Sequence, residues 1–146
     1  MTTETKRFEI LLAEDNVEDA ELVCIALKEH RVDCALHVVR DGEKAITLFD
    51  SLDADAKNPG LDLLLVDMNL PKRSGEDILK RLRSTKHYAQ TPVIVMSGLA
   101  SGAVEGTATR HAAMVYFKKP STLNEFMQLG SIVQSVLEKK PDVPHD

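Results

Sequence analysis

The 146-residue sequence is short of several residue types, and each shortage excludes a class of protein. Its two cysteines, Cys24 and Cys34, are too few and too irregularly spaced for a disulfide scaffold or a zinc site, so we expect reduced packing residues. No apolar run approaches the roughly eighteen residues of a membrane helix. Residues 1–7 are polar and lack the apolar core of a signal peptide. We therefore expect a cytoplasmic protein with no membrane partner.

A surplus of basic residues is also missing. The chain has 18 Lys and Arg against 23 Asp and Glu, a formal net charge of −5, which disfavours nucleic acid as a partner. Its 43% apolar and 28% charged residues are ordinary for a globular protein. We expect one domain over residues 1–146, with a core at about 8–138, polar ends and no output domain.

Short apolar runs alternate with stretches of helical character along the whole chain. This alternation predicts five βα units, a flavodoxin-like (βα)5 fold in which helices cover both faces of a five-stranded parallel sheet. Ser51–Gly60 is polar and rich in turn residues, so we predict an exposed loop there. The predicted strands are Phe8–Ala13, Cys34–Val39, Leu61–Val66, Pro92–Met96 and Met114–Phe117, and the predicted helices are Val17–His30, Gly42–Leu52, Ser74–Ser84, Ser101–His111 and Thr122–Glu138.

Polar side chains follow four of these strands at the point where each strand ends. They are Glu14 and Asp15 after the first strand, Asp67 after the third, Ser97 after the fourth, and Lys118 and Lys119 after the fifth. Because the carboxyl ends of parallel strands meet at one edge of a sheet, we expect these groups to lie together. That edge is the predicted functional site.

Three carboxylates at one place indicate a metal ion. Glu14, Asp15 and Asp67 would repel one another unless a cation neutralised them, and carboxylate oxygens are the ligands that Mg²⁺ prefers. The competing interpretation is that Glu14 and Asp15 only stabilise the N-terminus of the first helix, where acidic residues are favourable.

The full set of residues resembles the receiver domain of bacterial response regulators, the phosphoacceptor proteins of two-component signalling. Ser97 lies thirty residues and Lys119 fifty-two residues beyond Asp67, as in that family, and Pro71 and Gly75 occupy the family's loop positions. The resemblance implies a sheet order of 2-1-3-4-5. It also implies Mg²⁺ as the cofactor, with Asp15, Asp67 and the main-chain carbonyl of Asn69 as ligands and Glu14 acting through water.

The resemblance gives each remaining residue a role. Asp67 would accept the phosphoryl group and Lys119, rather than Lys118, would place a positive charge on it. Ser97 and Tyr116 would form the switch that responds to phosphorylation, on a surface made by the fourth helix, fifth strand and fifth helix. The protein would not be an enzyme in the usual sense, although it would assist its own phosphorylation and dephosphorylation.

Two segments, Leu11–Ala20 and Asp67–Lys72, resemble single-domain regulators that partner bacterial phytochromes. This narrower resemblance implies a sensor histidine kinase of phytochrome type as a partner. It adds a downstream protein, which the sequence does not name, and a homodimer as further expectations.

Three alternatives stay open at this level. A receiver-like scaffold would not need phosphorylation, and a phosphorylation assay distinguishes it. A small phosphatase with an Asp nucleophile would carry that Asp on an early strand, whereas Asp67 is in the middle of the chain. A flavodoxin-like electron carrier would need hydroxyl and amide donors in the first loop, where this chain is acidic.

Two helices carry local expectations. Ser101–His111 contains two glycines and two threonines, which are unfavourable in helices, so we predict a marginal, mobile helix. In the first helix, Leu22–Leu27 is apolar at every position. We predict that Ala20, Val23, Ala26 and Leu27 face inward, whereas Leu22 and Ile25 face outward as a docking surface for the kinase.

Overall fold

The computed structural model describes residues 7–54, 60–70, 72, 74–86, 88–98 and 115–139. Five strands and four helices alternate in this part of the chain, apart from the step between the last two strands. The strands are β1 (Phe8–Ala13), β2 (Cys34–Val39), β3 (Leu63–Asp67), β4 (Val93–Ser97) and β5 (Val115–Lys118), and the helices are α1 (Val17–Glu29), α2 (Gly42–Ala54), α3 (Gly75–Ser84) and α4 (Leu123–Lys139).

All neighbouring strands are parallel, and the sheet order is β2-β1-β3-β4-β5. Both the predicted fold class and the predicted order are confirmed. The reversal in winding falls between β1 and β3, the position at which doubly wound folds place their ligands. The carboxyl ends of β1 and β3 therefore lie side by side, and the predicted acidic residues are found at both of these strand ends.

Two apolar layers cover the sheet because side chains alternate along each strand. Ile10 and Leu12 of β1 point to the layer of α1 and α4, whereas Leu11 and Ala13 point to the layer of α2 and α3. The central strands β3 and β4 are buried at every residue. Helices α1 and α4 approach closely at Gly130, where a Cβ atom would overlap the ring of His30 and the Ala26 carbonyl. The two central strands that end at the carboxyl edge are thus packed on both faces.

Several predicted boundaries need correction. Strand β3 begins at Leu63, two residues later than predicted. Just before it, the Asp62 amide donates to the Glu9 carbonyl, but the Glu9 amide donates to the Asp62 side chain instead of a main-chain carbonyl. Helix α2 continues to Ala54, so Ser51 belongs to its last turns and not to a loop. The physical reason is Leu52, which packs against the apolar layer. The predicted helix Ser101–His111, Met114, Pro71 and residues 55–59 lie outside the described residues.

Candidate functional site

The carboxyl edge of the sheet brings together the residues predicted from the strand ends. Asp67 and Ser97 are the last residues of β3 and β4, whereas Glu14 and Lys119 directly follow β1 and β5. The main chain fixes this arrangement, because the Lys119 amide donates a hydrogen bond of 2.8 Å to the Ser97 carbonyl. Four strands therefore contribute to one site.

Three carboxylates form the centre of the site. Ligand atoms of Glu14, Asp15 and Asp67 all lie within 4.8 Å of one another. Glu14 and Asp67 are only 1% and 5% exposed, whereas Asp15 is exposed. The side chain of Asn16 caps α1 by accepting a 3.0 Å hydrogen bond from the Asp19 amide. Asn16 is therefore the residue that caps the helix, and the two preceding acids do not have that role.

The ammonium of Lys119 lies against three carboxylates. Its Nζ is 2.5 Å from Glu14 Oε1, 2.8 Å from Asp67 Oδ2 and 2.8 Å from Asp19 Oδ2. Burial lowers the pKa of Lys119, but hydrogen bonds with these acids outweigh burial and raise the pKa above its usual range. Lys118, the other candidate, is exposed at the end of β5. Lys119 is thus a permanently charged group beside Asp67.

Ionisation of Glu14 is unfavourable in this site. Burial raises the pKa of Glu14 from 4.5 to about 7, the neighbouring Asp67 adds to the rise, and Lys119 opposes it. Oε2 of Glu14 accepts a hydrogen bond from the Asn16 amide, whereas the buried Oε1 has no hydrogen-bond partner of regular geometry among the described residues. A negative charge on the Glu14 carboxylate is therefore stabilised by a cation close to Oε1.

The loop after β3 holds the Asp67 carboxylate in a fixed orientation. The Asn69 amide donates a 2.9 Å hydrogen bond to Asp67 Oδ1, so the loop turns back over the acid. Gly75 seals this turn, since a Cβ atom there would lie 2.7 Å from Met68 Cα and 2.8 Å from the Asp67 carbonyl oxygen. The glycine identified in the sequence is therefore required by a close approach.

Ser97 and Tyr116 occupy different surroundings. Ser97 is 2% exposed, and the adjacent Gly98 is exposed, with no described atom within 4 Å of a Cβ built on it. Tyr116 is half-buried, pairs with Val95 in the sheet and packs against the layer of α2 and α3. Ser97 thus lies at the site, whereas Tyr116 lies on the neighbouring strand, two residues before its end.

The residues present fit a hard divalent cation. Three carboxylates supply oxygen ligands within a few ångströms, and the one lysine beside them balances only part of their charge. The buried Glu14 Oε1 offers a further acceptor without a regular hydrogen bond from the described residues. The donor set is that of a Mg²⁺ or Mn²⁺ site.

Asp19 is the site residue that sequence reasoning missed. It lies in the first turn of α1, where an acid is ordinarily explained by the helix dipole. No local signal could have identified it, because its partner Lys119 lies one hundred residues away in the sequence.

Comparisons with known proteins agree with this geometry. The response regulator receiver domain profile matches residues 10–130. Response regulator Rcp1 of Synechocystis sp. is 33% identical over 88 residues, which are 60% of this chain and 60% of Rcp1. Regulatory protein AtoC of Escherichia coli is 32% identical over 136 residues, 93% of this chain and 26% of AtoC. The chain thus spans less than two thirds of both curated relatives.

Two solved structures share the fold over almost their whole lengths. The phosphorylated cyanobacterial phytochrome response regulator RcpA has a TM-score of 0.82 and 26% identity, covering 96% of this chain and 100% of RcpA. The Mn²⁺-bound form of Rcp1 has a TM-score of 0.79 and 25% identity, covering 94% of this chain and 99% of Rcp1.

Fold and site together define a doubly wound α/β domain with an acidic cluster and a lysine at the switch point of its sheet. The chain belongs to the response regulator receiver domain family. Within the described residues, no helix combines the length and hydropathy needed to cross a membrane.

Proposed function

We propose that this protein is a response regulator that accepts a phosphoryl group on Asp67. The observation that carries the proposal is the contact of Asp67 with Lys119 at 2.8 Å, inside a cluster of three carboxylates at the end of β3. A nucleophilic carboxylate needs a positive charge close by to draw in an anionic donor. The donor would be a sensor histidine kinase, and the receiver-domain family supports this assignment.

Each residue of the site would have its own role in the transfer step. An Asp67 Oδ atom attacks the donor phosphorus, the bond from phosphorus to the donor breaks, and the donor leaves with that electron pair. Lys119 neutralises charge on the phosphoryl oxygens. Asp15, Asp67 and the Asn69 carbonyl would hold Mg²⁺ directly and Glu14 would hold it through water, and the bound ion would neutralise the transferring oxygens.

The response to phosphorylation would pass through Ser97 and Tyr116. The Ser97 hydroxyl can donate a hydrogen bond to a phosphoryl oxygen at the edge of the sheet. Tyr116, on the next strand, would then shift the population of a partner surface around β5 and α4, which is the fifth of the predicted helices. Hydrolysis would follow from the same site, so the protein would assist its own dephosphorylation without acting on a separate substrate.

The partner is proposed from the relatives. RcpA is a phytochrome response regulator by its description, and its fold covers 96% of this chain. We infer a phytochrome-type histidine kinase as donor, an unidentified downstream protein as target and a homodimer as one assembly state. The cytoplasm, where such kinases present their phosphohistidine, is the proposed location.

Intact-mass spectrometry after incubation with acetyl phosphate tests the function. We expect one added phosphoryl group with Mg²⁺, none with EDTA, and loss of the group in neutral hydroxylamine, which cleaves acyl phosphates. Asp67→Asn is the matched control because it keeps the side-chain size and removes the nucleophile. Absence of label in the wild-type protein would support the receiver-like scaffold instead.

A further inference from the structure

Lys119 has a third carboxylate partner besides the two that the proposed function uses. Asp19 Oδ2 lies 2.8 Å from Lys119 Nζ, the same distance as Asp67 Oδ2. The ammonium has three N–H donors, and three carboxylates, those of Glu14, Asp19 and Asp67, surround it. A phosphoryl oxygen would therefore compete with these carboxylates for the ammonium.

Asp19 is held firmly at its end of the contact. Its amide donates to the capping side chain of Asn16, which fixes the residue in the first turn of α1. Its side chain is 25% exposed and that of Lys119 is 12% exposed, so water screens their ion pair only in part. The contact thus ties the lysine to a rigid helix end.

The other two partners have functions that keep them at the lysine. Asp67 is the proposed nucleophile, so it lies next to any phosphoryl group that it accepts. Glu14 belongs to the group of carboxylates that fits a divalent cation. Asp19 is outside that group and adds only negative charge close to the place that an anionic donor must enter.

We propose that Asp19 is a positioning residue that restrains Lys119 and slows phosphorylation of Asp67. The proposal rests on the phosphoacceptor function of Asp67. Two effects act in the same direction: Asp19 competes with the phosphoryl group for the ammonium, and its charge repels the donor. Replacing the carboxylate with an amide weakens both effects while leaving an acceptor oxygen near Lys119.

The rate of labelling by acetyl phosphate with Mg²⁺ tests the restraint. We expect Asp19→Asn to label about three to ten times faster than the wild-type protein, since one charge beside the entering anion is removed. Glu18→Gln is the matched control because it removes an equal charge from the same helical turn. It should label within about twofold of wild type. Asp19→Glu should restore a slower rate than Asp19→Asn.

A second readout reports the contact without any phosphoryl transfer. The NMR signal of the Lys119 ammonium should exchange slowly with water in the wild-type protein, because carboxylates occupy its donors. Asp19→Asn should speed this exchange, whereas Glu18→Gln should leave it unchanged. The Mg²⁺ concentration for half-saturation should also change little in Asp19→Asn, since Asp19 is not in the ligand cluster.

The outcomes separate this proposal from the function on which it rests. Equal labelling rates for wild type and Asp19→Asn would overturn the restraint. Slower labelling of Asp19→Asn, rescued by Asp19→Glu, would also overturn it, because Asp19 would then assist the transfer. A wild-type protein that takes no label would reject the phosphoacceptor function itself, and the restraint with it.

Discussion

The two ends of the sheet both contain paired polar side chains, but the partners differ. At the amino end, Asp62 accepts a hydrogen bond from the Glu9 amide, and Arg83 donates to the carbonyls of Ala89 and Thr91 at 3.0 and 2.8 Å. At the carboxyl end, the charged groups contact one another, with Lys119 against several acids.

The polar groups at the amino end therefore contribute mainly to stability, and those at the carboxyl end mainly to chemistry. A charged side chain paired with the neutral main chain fixes a loop, and it does so without crowding like charges. Several carboxylates around one lysine leave an excess of negative charge, which costs stability until a cation arrives. We therefore expect the carboxyl end to respond to pH, metal and phosphoryl donors, and the amino end to respond neither to metal nor to phosphoryl donors.

The largest expected effect is the pH dependence caused by Glu14. The folded protein binds this proton more tightly than the unfolded chain, since the pKa of Glu14 rises from 4.5 to about 7. Its contribution to stability is therefore complete below pH 4.5 and is lost as the pH rises towards 7. Without divalent ions, the loss should be on the order of 2 to 3 kcal/mol.

Denaturant titrations of wild type and Glu14→Gln across this pH window measure the effect. Other groups titrate in both proteins, so the difference between the two isolates Glu14. The variant should lose less stability as the pH rises. A wild-type protein that gains stability relative to Glu14→Gln over the same window would show that Lys119 outweighs burial.

A substitution at the amino end should lower stability and leave phosphorylation unchanged. Arg83→Met leaves the carbonyls of Ala89 and Thr91 without this donor, so we expect a loss of about 2 kcal/mol. Labelling of the folded protein at Asp67 should stay at the wild-type rate. Arg81→Met is the matched control, because Arg81 pairs with Asp50 on the surface, where an ion pair contributes less than about 1 kcal/mol. Equal losses in both variants would break the comparison.

Magnesium should stabilise the protein through the carboxyl end. A ligand that binds only the folded state adds about 1.4 kcal/mol at ten times its Kd. Thermal melting should therefore rise with Mg²⁺ and not with Na⁺ at equal ionic strength. Asp15→Asn should lose most of this rise, whereas Arg83→Met should keep it. An unchanged rise in Asp15→Asn would place the metal elsewhere.

The smallest effect on stability is expected on the outer face of α1. The prediction for this helix is correct for Ile25, which is 47% exposed, but wrong for Leu22, which is half-buried and packs against the α1 and α4 layer. Ile25→Lys should change stability by less than about 0.5 kcal/mol. It should nevertheless slow phosphotransfer from the kinase while labelling by acetyl phosphate stays intact.

Leu22→Lys serves as the contrast, because it should destabilise the fold by more than about 1 kcal/mol. Normal transfer from the kinase to Ile25→Lys would exclude this face as a docking surface.

Strand positions were predictable because each strand leaves a short apolar run in the sequence, even β2, which has no fully buried residue. The apolar runs of β1 and β2 gave their bounds, and β4 begins one residue late only because Pro92 has no amide hydrogen to pair. The end of α2 was not predictable in the same way. Its polar last turn is stabilised by the packing of Leu52, which depends on the assembled layer.

The candidate site likewise contains residues that the sequence could predict and one that it could not. Glu14, Asp67 and Lys119 end or follow buried strands, so topology alone brings them together. Asp19 was missed because its contact joins residues one hundred positions apart, and nothing near it in the sequence distinguishes it from an ordinary acid at a helix start. The role of Asp19 depends on Lys119, which only the end of β5 brings next to it.

Locating the phosphoryl group within the chain tests the central claim most directly. After labelling with acetyl phosphate and Mg²⁺, borohydride reduces an aspartyl phosphate to homoserine, which peptide mass spectrometry assigns to one position. We predict homoserine at position 67 alone, and none when Mg²⁺ is withheld. Homoserine at position 15 or 19, or an equal yield of phosphoryl label in Asp67→Asn, would contradict the account.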